Sequence, residues 1–140
     1  MELYDFIISR LPDIEGYGNY NKSIDDNGVS DHSAFKQYIR EDHQGDVGIF
    51  VINNNRQRKY HGYADHETEV QIVVNCINGD IEGGLDYLSK LLLNIQNNNK
   101  SDTVWIKSTR ILNKAPVGMN SEGIHWCVLN INLRYIVADD

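Results

Sequence analysis

The sequence predicts an α+β fold: a mostly antiparallel four-stranded sheet, a main helix between two hairpins, and a short N-terminal helix. Three observations predict it. Residues 67–76 alternate apolar and polar, the period of a half-buried strand. Ile81, Leu85, Leu88, Leu92 and Ile95 step by fours and threes, which makes one apolar helical stripe. The elements follow one another as helix, strand, strand, helix, strand, strand, so two hairpins are joined by a helix.

At the N-terminus, Leu3, Phe6, Ile7 and Leu11 have helical spacing, and Pro12 stops the helix by pushing the preceding residue out of the α region. Residues 13–46 read as a long irregular segment rich in Gly, Asn and Asp, with Phe35, Tyr38 and Ile39 suggesting one or two helical turns. Residues 47–53 form a short apolar strand ended by Asn53-Asn54-Asn55, which reads as a turn. In the next strand Thr68, Val70, Ile72, Val74 and Cys76 face one way, and Glu67, Glu69, Gln71 and Asn75 the other. The main helix spans about residues 80–96. Asp80, Glu82 and Asp86 suit the positive end of its dipole. Gly83 and Gly84 weaken its first turn by roughly 1 kcal/mol each, which moves the expected start toward Leu85. Asn97-Asn98-Asn99 ends it. Residues 104–112 and 125–137 are the last two strands. In the final one Cys127, Leu129, Ile131, Leu133, Tyr135 and Val137 make a continuous apolar face, while Trp126, Val128 and Ile136 place apolar groups on the other.

With 140 residues, 41% apolar and 24% charged, the chain fits one domain with a real core. Its longest apolar runs fall far short of a membrane span, and Met1–Asp5 lacks the basic start of a secretory signal. Twenty acids against 13 bases give a net charge of −7, which argues against tight DNA binding. Cys76 and Cys127 lie in apolar runs and read as buried free thiols of a reducing compartment, the alternative being a disulfide. Their spacing is not that of a zinc site.

Little in the chain suggests catalysis. His61 and His66 flank a Gly-containing loop, with His43 and Asp46 upstream. They read as exposed histidines of a polar loop, the alternative being a small metal-dependent hydrolase built on that loop. Glu67 and Glu69 precede Val70 without the neighbouring lysine that a metal-dependent nuclease would use. No serine sits in a nucleophile elbow and no Gly-rich phosphate loop follows a strand. His125 reads as structural. No cofactor, metal ligand or catalytic residue is assigned. The stretch 53–63 is different: Arg56, Arg58 and Lys59 concentrate positive charge in an acidic protein, beside Tyr60 and Tyr63. It reads either as a solvated hairpin tip or as an arm docking on a partner through Arg and Tyr anchors.

Three features together resemble a family. Tyr60-His61-Gly62-Tyr63 leads into Glu69-Val70-Gln71-Ile72-Val73-Val74; a helix over residues 85–95 follows; Pro116-Val117-Gly118-Met119-Asn120-Ser121-Glu122-Gly123 precedes a long last strand. In this order and spacing the chain resembles the tail terminator proteins of long-tailed bacteriophages, also labelled minor capsid or tail completion proteins. The resemblance runs from about Val47 to Val137, with residues 13–46 outside it. It implies a central sheet flanked by helices and a homohexameric ring at the head-proximal end of the tail tube, in the virion, assembled in the host cytoplasm. It further implies that the ring stops tube polymerisation and presents a surface for the head. The expected partners are the chain itself, the major tail tube protein and the head–tail connector protein, with DNA only as passing cargo. A connector component is the nearest alternative. Arg56, Arg58 and Tyr60 in one loop, and Val117 and Met119 in the other (residues 114–123), are the tube or connector contact candidates. Trp126, Val128 and Ile136 are the subunit-interface candidates, the competing expectation being that the N-terminal helix covers them.

Overall fold

Two apolar stripes and one alternating strand determine the layers. The computed structural model describes residues 2–18, 34–40, 43–60, 62–119 and 125–138. Helix α1 (Glu2–Ser9) and helix α2 (Ile81–Asn97) pack on one face of a sheet made of β1 (Ala34–Lys36), β2 (Val47–Tyr60), β3 (Tyr63–Asn75), β4 (Val104–Met119) and β5 (His125–Ala138). The strand order is β1-β2-β3-β5-β4. The four long strands are antiparallel, and β1 adds in parallel to the start of β2. The architecture is α+β, as the residue pattern predicts.

The core lies between the helices and the sheet. Leu3, Phe6, Ile7 and Leu11 from the N-terminal segment and Leu88, Leu91, Leu92 and Ile95 from α2 meet Val47, Ile49, Val70, Ile72, Val74, Leu129, Ile131 and Leu133. Each fully buried aliphatic side chain contributes about 1.5–3 kcal/mol, so truncating Leu91, which is wholly buried, costs about 2–5 kcal/mol. Thr68, Val70, Ile72, Val74 and Cys76 are all buried on the helix side, as the alternation predicts, but on the other face Val73 and Asn75 are buried as well.

Where sequence and structure differ, the reasons are local. Helix α2 begins at Ile81, not near Leu85, because Asp80 caps it by accepting the Gly83 N–H at 3.0 Å. The two glycines belong to that start. A Cβ on Gly83 would lie 2.5 Å from the capping carboxylate, and one on Gly84 would lie 2.6 Å from Cys76 Sγ. Phe35, Tyr38 and Ile39 do not form helical turns. Ala34–Lys36 pairs with β2, and Gln37 turns the chain with φ 57° while its side chain accepts the Val51 N–H. A three-residue strand is too short to carry a period of its own. The asparagine triplet is not a turn either. It lies inside β2, where two register shifts between Val51 and Arg56 absorb the extra residues. The chain reverses instead between Tyr60 and Tyr63, with Gly62 at φ +84°.

The second face of the sheet is not covered by the N-terminal helix, which sits with α2 on the first. Part of it is covered by residues 38–40, which cross above Gly48: a Cβ there would meet the Tyr38 carbonyl oxygen at 2.7 Å. A part-buried ion pair anchors this crossing, Arg40 holding the buried Asp46 through two bonds of 2.7 Å. No helix among the described residues is long and apolar enough to cross a membrane.

Candidate functional site

The register fixes where each predicted contact residue stands. Tyr63 pairs with Ala138 and Asn75 with Trp126, so β3 and β5 lie side by side over their full lengths. The Tyr60–Tyr63 reversal is therefore flush with one end of the sheet and is not a projecting arm. The β4–β5 reversal, where Met119 pairs with His125, is at the opposite end. Twelve residue steps of about 3.3 Å separate the two ends by about 40 Å.

At the first end Tyr60 and Tyr63 stack with centroids 4.8 Å apart and remain partly exposed. Arg56 and Arg58 are strand residues, and the register sets them directly opposite Glu67 and Asp65. Those acids are already engaged on their other side: Asn132 donates to Glu67 at 3.0 Å, and Arg134 reaches Asp65 at 3.4 Å. Arg58 is exposed, with an acid directly across the strand pair.

At the other end the expected loop 114–123 is mostly strand, because β4 runs on to Met119. Val117 is the unpaired residue of a register shift between Pro116 and Gly118, and it is 55% exposed. Gly118, at φ +115°, has open space beside it.

Trp126, Val128 and Ile136 do face away from the helices. The register sets them beside Gly118, Ala115 and Trp105 on β4, and beside Asn75, Val73 and Asp65 on β3. Val128 is buried and the other two are half-buried. On this face Trp126 Nε1 and Asn130 Oδ1 are buried without a hydrogen-bond partner among the described residues.

Sequence reasoning missed one surface. β4 is an edge strand, covered over its first residues by the segment before it: Ile106 N–H donates to the Asn99 carbonyl at 2.7 Å, and Lys100 bridges to Trp105. Beyond that, Ile111, Leu112 and Val117 are 51%, 43% and 55% exposed. Leu93 of α2 is similarly exposed and lies between two cross-links from α2 to β4, Ser89 to Lys114 at 2.6 Å and Gln96 to Thr109 at 2.9 Å. The strand also carries Lys107, Arg110 and Lys114 and no acid. Register shifts leave out Lys107, Leu112 and Val117, one every five residues. Such bulges twist an edge away from backbone pairing and turn side chains outward. The adjacent Ile111-Leu112 hints at this in sequence, since strict alternation would have sent one of them to each face.

The histidine loop does not assemble as a site from what is described. His66 belongs to β3 and stacks on Tyr135 with centroids 4.9 Å apart, on the helix-covered side. Its chain neighbours Asp65 and Glu67 point to the other face by strand alternation. His61 lies outside the described residues. Among the described residues no group of three or more His, Cys, Asp or Glu side chains converges. Comparison of the chain with protein-family models and with curated proteins finds no match.

Proposed function

We propose that this protein is a structural joint of a phage tail. It forms a homohexameric ring that caps the head-proximal end of the tail tube, stops tube polymerisation and offers its far side to the head–tail connector. The observation that carries the reading is the placement of the two contact regions at opposite ends of one sheet. A joint must touch one partner on each side, and a rigid antiparallel sheet about 40 Å long holds two such surfaces at fixed separation. Arg58, Tyr60 and Tyr63 belong to one surface, and Val117 and Met119 to the other.

The ring contact is assigned to the β4 edge and to the half-buried face beside it. Ile111 and Leu112 supply apolar area. A heterologous contact of this kind closes into a ring when the rotation per subunit divides the circle. The mechanism needs no bond chemistry. The protein binds the last tube ring better than another tube subunit does, and growth stops.

Electron microscopy of tails made with and without this gene tests the proposal. Overlong tubes lacking heads are the expected result of its removal. Tubes of normal length that fail to join heads would assign the protein to the connector instead. Normal particles would overturn both.

A further inference from the structure

Cys76, just past the end of β3, and Cys127, in β5, bring their sulfurs to 3.4 Å beneath the first turn of α2. Both thiols are free and buried. The fold makes room for the pair: Gly84 lies directly over it, and a Cβ there would stand 2.6 Å from Cys76 Sγ and 3.1 Å from Cys127 Sγ. Residues 51 apart in sequence are held together here by adjacent, fully registered strands. The register sets Cys127 opposite Val74, so the two cysteines are diagonal neighbours, and their sulfurs must close from 3.4 Å to the bonded distance of about 2.05 Å.

We infer that Cys76 and Cys127 form a latent crosslink, which closes to a disulfide when a small peroxide reaches them. One thiol gives its proton to water, and its sulfur attacks a peroxide oxygen. The O–O bond breaks and the departing hydroxide takes up a proton to become water. The second sulfur then attacks the sulfenic acid. The S–O bond breaks, the S–S bond forms, and the hydroxyl leaves as a second water with that thiol's proton. Two thiols and one peroxide give one disulfide and two waters. Burial raises both thiols above their ordinary range, Cys76 to about 12, so thiolate is scarce and closure is slow while the core is shut. Gly84, in the first turn of α2, covers both sulfurs. This inference is independent of the capping proposal, because it concerns the core of a single chain.

The test treats the purified chain with hydrogen peroxide, removes the oxidant, then unfolds it in urea with an alkylating agent and measures intact mass. The expected product is lighter by two hydrogens, takes no alkyl group, and reverts with dithiothreitol. Its melting midpoint is higher by roughly 10 °C, from closure of a long loop. Cys76→Ser and Cys127→Ser should each lose this product and gain oxygen or keep one alkylatable thiol. Two alkylatable thiols after treatment, with the same chain oxidised readily in urea, would overturn the inference. So would oxygen addition to either sulfur of the native chain without a crosslink.

Discussion

At the scale of single residues, the second half of the Gly83-Gly84 pair is set by sulfur packing. Gly84→Ala is expected to destabilise the protein by about 1–3 kcal/mol through overpacking, despite alanine's better helix propensity. Adding Cys76→Ala should remove the clash. The two changes together should then cost less than the sum of the separate ones, as measured by urea denaturation of all four species. Additive costs would mean that the sulfur is not what excludes the methyl group. Asp80→Ala should lose about 1 kcal/mol by leaving the Gly83 N–H without its cap, read as a lower denaturation midpoint with unchanged slope. Both glycines were visible in the sequence as helix weakeners. Their actual use, making room for a carboxylate on one side and two sulfurs on the other, depends on neighbours that no local window contains.

At the scale of elements, the strands with a clean period were legible and the contact loops were not. Residues 67–72 and the α2 stripe each carry their burial in a fixed repeat, so periodicity alone places them. β2 and β4 carry five register shifts between them, and each shift breaks the alternation that would have identified the strand. Asn53 to Asn55 therefore looked like a turn, and residues 114–119 like a loop. The consequence for mutagenesis is direct. Arg58→Glu would set a like charge opposite Asp65 and destabilise the hairpin by about 0.2–1 kcal/mol, confounding any test of contact. Arg58→Gln with Tyr60→Ser removes the anchors without that repulsion. It is expected to fold normally and to fail to arrest tubes, as scored by tail length in complementation. On the β4 edge, Ile111→Asp with Leu112→Asp should leave the melting temperature nearly unchanged and abolish self-association, as read by native mass spectrometry. A folded double variant that still assembles would place the subunit interface elsewhere.

For the whole molecule, the buried acids of high pKa set the alkaline limit of stability. Burial raises Cys76 from 9.0 to about 12, and it also raises Cys127, Tyr17 and Tyr87 above their ordinary values. In the folded state these groups keep protons that the unfolded chain gives up. Their contribution is therefore complete below about pH 9 and is lost as pH rises toward 12. The melting midpoint should fall steeply across that window, and Tyr87 should ionise only as the chain unfolds, followed by phenolate absorbance. A flat midpoint through pH 11 would contradict it. The strand order has one more consequence, for synthesis. β5 is the last strand in the chain, yet it lies between β3 and β4. A ribosome that has delivered everything through β4 has made both flanks of a slot whose filler does not yet exist. Until residues 125–138 emerge, Val70 and Ile72 have no partner strand on one side. The nascent chain must hold two half-sheets apart, open to wrong pairing, until that strand has left the ribosome.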